Sequence, residues 1–376
     1  MDNIIEQSFK VNTQIMTFLC WYPPEKKSPL FQVRRYFFYV MLLVVPTVLT
    51  LIDIIVEGDY DDKQTIFVAE TISFSFKILP FLKNNHRIKN CINYFGQPDF
   101  SPKDETQEDV IRPCVEMCQK ISKLYLVGCF SAQVMFVLPS LVSKNYELPM
   151  KIWLPYDATS GIVVYYSTIF YFFAGSATSL IDPLIGGLAY HSTSQLRILK
   201  IQLQNLSPGN IYGDLVKCVR QHEAILCFVN EYEKCFSWTM FSQFSGTTLG
   251  ICFCCIAVTT VKTQLQQFRL LISNLQVPLA SIEAVMYISF FFVVISQVFF
   301  YCYFGTLLFE ENNTLITAVY VSRWYEYDVK VRRVLITLME RSKRPMIVTA
   351  EKFFDLTLET FSKMIKSSYS LVAVLK

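Results

Sequence analysis

Four ionisable side chains near the C-terminus, Asp355, Glu359, Lys363 and Lys366, stand four, four and three residues apart in an otherwise apolar stretch. Carboxylates and amines at that spacing do not build a hydrolytic or redox centre. On a helix, at about 100° per residue, they fall with Ser362, Ser370 and Ala373 on one stripe roughly 100° wide. The other faces carry Phe354, Leu358, Phe361, Ile365, Leu371, Val372 and Leu375. The chemistry such a stripe offers is solvation. Charge inside a bilayer is expensive unless it faces protein or water, so Phe353–Leu375 is expected to cross the membrane and line an aqueous path. Glu359 and Lys363 are placed to pair at i, i+4. Beyond Lys366 and Ser370 the stripe gives way to Leu371–Leu375, where a ring of apolar side chains would close a pore by dewetting. Val374 is the expected constriction, with Leu371 second.

Bond-making chemistry finds little support. The three histidines, His86, His191 and His222, are not spaced as metal ligands, and no Cys/His box is present. There is no P-loop and no Gly-rich nucleotide fingerprint. Ser, Asp and His occur in no catalytic arrangement. The expectation is a non-enzyme with no cofactor and no metal, and a net charge of +3 is too small to argue for nucleic acid.

Hydrophobic residues make up 52% of the 376-residue chain and charged residues only 17%, so its apolar surface cannot be hidden in one soluble core. The fold class expected is all-α, a polytopic membrane protein with seven transmembrane helices. Six spans are clear: Tyr36–Val56, Leu124–Val142, Gly161–Tyr190, Ser237–Thr260, Ala284–Leu308 and Phe353–Leu375. Each can cover the hydrocarbon core, which needs roughly 20 residues. Gln64–Leu82 is the weaker seventh because it holds Glu70, Lys77 and Pro80. With it included, 25 of the 34 Lys and Arg fall in segments 1–35, 83–123, 191–236 and 309–352. The positive-inside rule then gives a cytosolic N-terminus and an extracellular C-terminus. None of the twelve cysteines falls in an outer loop, and Met1–Gln32 has no apolar core of the signal-peptide kind. Four regions follow: a cytosolic arm 1–35, six helices with their loops over 36–308, a helical cytosolic anchor 309–352, and the terminal helix 353–376. In the anchor, Val331, Val334, Leu335 and Leu338 repeat at i, i+3, i+4 and i+7.

Aromatics near the outer ends of several spans suggest a ligand site. Span two offers Ile72, Ser73 and Phe76, and span three offers Gln133, Phe136 and Val137. Span four adds Tyr165, Tyr166, Ile169 and Phe173, and span six adds Tyr287 and Phe291. Ordinary bundle packing accounts for any one of them. Together they would make a concave apolar pocket with few polar groups, suited to a small volatile or lipophilic ligand. Glu70 and Lys77, seven apart, share a helix face; they either pair with neighbouring helices or line a polar cavity. Asp53 is expected at the interface, and Asp182–Pro183 is expected to kink span four. The loop Ser143–Ser160 is a candidate lid, and the acidic loop Glu57–Asp62 could concentrate cations at an outer mouth.

The segment Tyr320-Val321-Ser322-Arg323-Trp324-Tyr325, then Arg344–Pro345, then Phe354, Leu358, Thr360–Phe361 and Lys366 to Ser370, closely resembles the C-terminal signature of insect odorant receptors. The match is specific over about the last 60 residues. It is looser at Trp153, Pro155 and Asp157, at His191 with Gln195–Leu196, and at His222. The Thr-Tyr-rich ending of the gustatory relatives is absent.

That resemblance implies an odorant-gated, non-selective cation channel in the plasma membrane of olfactory neuron dendrites. It implies a tuning subunit joined to a shared odorant co-receptor in a heterotetramer, because the long inner insertion of the co-receptor between spans four and five is missing. It further implies a central pore lined by the last helix, an anchor built from inner extensions of spans four to seven, and a volatile bound among spans two, three, four and six. The partners implied are thus the co-receptor, a small volatile, the lipid bilayer and permeating cations. The alternatives are a seven-helix G-protein-coupled-type receptor and a secondary transporter. The first would need an extracellular N-terminus, and the second would favour paired repeats with broken helices in matching positions.

Overall fold

The computed structural model describes residues 7–24, 29–58, 62–97, 100–142, 153, 175, 180–206, 209–271 and 279–375, some of them (Tyr287, Leu371 and Val374 included) in backbone only. Helices dominate. The first, α1, covers Lys10–Phe18. A longer segment follows as α2 (Pro29–Tyr39) and α3 (Val45–Glu57), joined by a π-helical turn, Val40–Val44. Pro46 explains the turn: with no N–H and a ring that crowds the preceding carbonyls, it forces the hydrogen-bond ladder to slip. Gly58 ends α3 in the left-handed conformation, φ 66°, its N–H bonded to the Ile54 carbonyl at 3.2 Å.

Span two is one unbroken helix, α4, Asp62–Lys83. Its 22 residues rise about 33 Å, enough to cross the hydrocarbon core. Next come α5 (Asn85–Ile92), a 3-10 turn Asn93–Gly96 and α6 (Glu105–Val142). The helix α7 is Ile181–Gln204, α8 is Ile211–Leu271 and α9 is Leu279–Val321. At 61 and 43 residues, α8 and α9 rise about 90 Å and 65 Å, two to three times the hydrocarbon thickness. They therefore carry on well outside the membrane, where α10 (Val329–Ser342) packs beside them. Val331, Leu335 and Leu338 of α10 are buried with Val334 against the same core, as their spacing requires.

This charge-rich end of the bundle has an aromatic centre. The Phe95 ring lies 4.4 Å from Phe228 and 5.4 Å from Phe100, and Tyr94 lies 5.3 Å from Phe228. Hydrogen bonds knit the elements together. Gln195 donates to the Phe100 carbonyl at 3.3 Å, Tyr94 to the Ala224 carbonyl at 3.3 Å, and Asn312 to the Ser342 carbonyl at 3.3 Å.

Elsewhere the bundle turns apolar side chains outward. Ile55, Val56, Leu124, Val127, Phe130 and Phe292 are all more than half exposed. Such a surface suits lipid, and among the described residues three helical stretches are long and apolar enough to cross it: Pro29–Glu57, Glu105–Leu138 and Ile288–Val321.

Candidate functional site

The terminal helix starts later than its hydropathy predicts. It is α11, Leu358–Leu375, and the residues before it form an antiparallel hairpin, β1 (Thr349–Ala350) with β2 (Phe354–Asp355). Glu351 and Lys352 turn the hairpin with φ of 50° and 60°. Asp355 is thus an exposed strand residue and is removed from the helical stripe. Thr357 caps α11, its Oγ1 accepting from the Thr360 N–H at 3.2 Å. The Leu358 N–H donates to Thr306 Oγ1 of α9 at 3.0 Å. Hairpin and α8 are clamped in turn: Ser237 Oγ accepts from the Glu351 N–H at 2.5 Å, and Glu233 accepts from the Thr349 N–H at 3.1 Å.

Within α11 the two faces separate cleanly. Met364 and Ser368 are buried against the bundle, and Phe361 and Ile365 pack on the core. Glu359 and Lys363, 77% and 72% exposed, pair at 2.7 Å and point away from it, on the side that also carries exposed Ser362, Lys366 and Ser370. The apolar end, Leu371 and Val374, lies on the helix, but the side chains are outside the described residues.

The charges of the neighbouring spans meet inside the bundle. Lys77 Nζ is 2.5 Å from Asp182 Oδ1 and donates to Gln243 Oε1 at 2.8 Å, with both charged side chains fully buried. Tyr301 donates to Asp182, Gln243 donates to Gln297 and, at 3.0 Å, to Thr247. This network joins α4, α7, α8 and α9. Asp182 thus serves as the counter-ion of Lys77. Pro183 sits in the first turn of α7, where no hydrogen-bond donor is required; the rest of the fourth span, on which the expected kink depends, lies outside the described residues apart from Gly175 and Leu180. Glu70, 4% exposed, lies against Gly250, and among the described residues neither of its oxygens has a hydrogen-bond partner. Asp53 is also buried, accepting from Gln64 Nε2 at 2.8 Å.

The aromatic candidates are distributed unevenly. Ser73 is buried between α4 and α8, donating to the Ser242 carbonyl at 3.0 Å; a Cβ on Gly246 would lie 2.0 Å from its hydroxyl, so that glycine makes the approach possible. Ile72 and Phe76 lie on the exposed face of α4, Phe76 edge-on to Trp238 at 6.4 Å. On α6, Val137 is buried and Phe136 half-buried, and Gln133 reaches the position a Cβ of Gly175 would occupy. Phe291 of α9 packs on the core beside Phe292, ring centroids 6.0 Å apart. Tyr165, Tyr166, Ile169 and Phe173 lie outside the described residues, as does the side chain of Tyr287. Of the candidate lid only Trp153 is described, its N–H bonded to the Leu49 carbonyl at 3.3 Å.

One constellation escaped the sequence reading. Cys114, Cys118 and His191 converge with their donor atoms all within 4.8 Å of one another, fully enclosed. The only sequence signal was Cys-x-x-x-Cys, which puts both thiols on one helical face; the histidine is 73 residues further on. Two other buried groups shift on this side of the bundle. Burial pushes the Cys218 thiol up to about 12, and burial with Arg341 nearby holds His222 down to about 4.

These features together define a polytopic, all-α membrane protein with a buried ion pair and a terminal helix of unequal faces. The family described as 7tm Odorant receptor matches residues 63–369, and the chain belongs to it. The family is one of membrane-embedded, seven-helix receptors, not of enzymes. The chain is 23% identical over 330 residues to Odorant receptor 23a of Drosophila melanogaster, covering 85% of this chain and 82% of that one. It is 21% identical over 356 residues to Odorant receptor Or1 of Anopheles gambiae, covering 84% and 81%. Its fold matches the solved insect olfactory receptor OR5 from Machilis hrabei with a TM-score of 0.82 at 17% identity, over 98% and 97% of the two chains. The structure of that receptor in complex with eugenol matches with a TM-score of 0.80 at 15% identity, over the same shares.

Proposed function

We propose that this chain is the tuning subunit of a heteromeric, odorant-gated, non-selective cation channel, assembled with a shared co-receptor in the plasma membrane of olfactory neuron dendrites. Its N-terminus is cytosolic and its C-terminus extracellular. The observation that carries the reading is the face of α11 bearing Glu359, Ser362, Lys363, Lys366 and Ser370, which turns away from the bundle. In hydrocarbon that face demands water or a polar neighbour. Four such helices around an axis supply both, and Val374 with Leu371 closes the outer end.

The ligand is a small, lipophilic volatile held in the outer half of the bundle by Gln133, Phe136 and Val137 of α6, Phe291 and Tyr287 of α9, and the fourth-span aromatics. Support for an aromatic ligand comes from OR5, whose solved complex holds eugenol. A volatile that fits the open state better than the closed one shifts the equilibrium by that difference in affinity alone. The shift is passed from α9 to α11 through the Thr306–Leu358 contact.

Recording from cells that express the chain with and without the co-receptor, against a varied panel of volatiles, tests the reading. Evoked cation current only in the heteromer supports it. Phe136→Ala or Tyr287→Ala should shift the dose–response curve, and Val374→Ser should raise the resting conductance. Thiol-reagent mapping of cysteines placed from 359 to 370 gives an independent answer. No modification by water-soluble reagents, at rest or during stimulation, would sink the pore assignment.

A further inference from the structure

We propose that Cys114, Cys118 and His191 bind a zinc ion that pins α6 to α7. Both thiols project from one face of α6, one helical turn apart, and His191 faces them from α7. Cys114 Sγ lies 3.6 Å from His191 Nδ1. Tetrahedral zinc, with bonds of about 2.3 Å to sulfur and about 2.05 Å to nitrogen, holds such a pair about 3.6 Å apart. A thiol–imidazole hydrogen bond has a similar length, so this distance alone does not decide; the third donor and the surroundings do.

The far side of the imidazole is already set for a ligand. His191 Nε2 lies 3.0 Å from Ser8 Oγ; in the tautomer whose Nε2–H donates to that hydroxyl, the Nδ1 lone pair faces the thiols. Ligating histidines nearly always have such a partner on the other ring nitrogen. The Phe9 and Phe95 rings pack 5.4 Å and 5.7 Å from the imidazole and keep bulk water away. On the Cys118 side, Gly187 makes the room: a Cβ there would lie 2.8 Å from Phe9 and 3.3 Å from the Cys118 sulfur. Charge also fits an enclosed site. Two thiolates, one neutral imidazole and a divalent ion sum to zero, so nothing unbalanced is buried. Thiolate and imidazole donors favour zinc over the oxygen-seeking ions, and three protein ligands leave one position for solvent.

Full-length protein purified from membranes without a histidine tag, its zinc measured per chain by mass spectrometry, is the direct test. About one zinc per chain is expected. The amount should fall more than tenfold in Cys118→Ala and His191→Ala, and stay unchanged in Cys227→Ser, which removes an exposed thiol outside the cluster. Ser8→Ala keeps all three ligands and should weaken zinc binding about 10- to 100-fold in a chelator competition, a readout that does not depend on the ligand variants folding. Cobalt added to metal-free wild type should give thiolate charge-transfer and tetrahedral bands. Wild-type protein that carries no zinc above buffer level, and gives no such bands with cobalt, overturns the site. So does zinc that survives loss of both Cys118 and His191.

Discussion

Removing Asp182 should be among the most damaging single changes in the bundle. In Asp182→Leu the Lys77 ammonium, fully buried, loses its carboxylate contact and keeps the Gln243 side-chain carbonyl at 2.8 Å and the Phe74 ring at 5.5 Å, with the Glu70 carboxyl in electrostatic reach but unbonded to it. At the observed 2.5 Å and an effective dielectric of about 20, the lost attraction is about 7 kcal/mol. The desolvation that both charges already bear offsets part of it, and deletion of one member of such a pair costs about 3–5 kcal/mol. That cost corresponds to roughly a hundred- to several-thousand-fold in the folding equilibrium, since about 1.4 kcal/mol is tenfold. Lys77→Met should be comparably harmful, because it strands the carboxylate with the Tyr301 hydroxyl. The double variant Lys77→Met with Asp182→Leu removes both charges and should recover to within about 1–2 kcal/mol of wild type. Equilibrium unfolding of purified protein in mixed micelles, as the fraction of denaturing detergent rises, measures all three. A loss below about 1 kcal/mol for Asp182→Leu, or a double variant as damaged as the sum of the singles, would refute the reasoning.

Three further outcomes are expected. His222 is held down to about 4 by burial with Arg341 nearby, against 6.5 when unfolded, so the unfolded chain binds the extra proton between those values. The stability that this group contributes is therefore complete above about pH 6.5 and falls toward pH 4, by about 3 kcal/mol at most. His222→Gln should flatten that part of an unfolding-versus-pH curve. Thr357→Ala removes the cap of α11 and should cost about 1 kcal/mol, seen as a lower thermal midpoint. Gly305→Ala would place a Cβ 2.2 Å from the Leu356 carbonyl oxygen, a backbone atom that cannot step aside. It should cost about 1–3 kcal/mol, whereas the same change at Gly128, with nothing near, should not reduce stability.

What could be read in the sequence was whatever depends on local spacing. The polar stripe of α11 from Glu359 to Ser370, the i, i+4 pair Glu359–Lys363 and the buried face of α10 all follow from the helical repeat. So does α4, although Glu70 and Lys77 made it look marginal. The hairpin was missed because Phe353–Leu358 is apolar enough to continue a helix, and what stops it is tertiary: Ser237, Glu233 and Gly305 belong to other helices. The pairing of Asp182 with Lys77 has no local signal, because nothing near Asp182 says that a lysine 105 residues earlier will face it. The bond from Ser73 to the Ser242 carbonyl, 169 residues away, is equally invisible to local spacing. The cysteines of α6 and His191 are likewise joined only by the packing of α6 on α7.

The hairpin at the foot of α11 has a mechanical consequence. Fastened to α8 through Ser237 and Glu233 and to α9 at Thr306, it acts as a fulcrum, and the 18 residues beyond it form a lever arm about 27 Å long. A tilt of about 10° carries its tip about 5 Å, roughly the difference between touching and parted side chains. A push of an ångström near the pivot would therefore be magnified severalfold at the far end. Spin labels at exposed Lys352 and Ser370 test this directly: stimulation should change the distance of Ser370 from a label on the bundle, with Lys352 unmoved. Equal displacement of both labels would rule the pivot out.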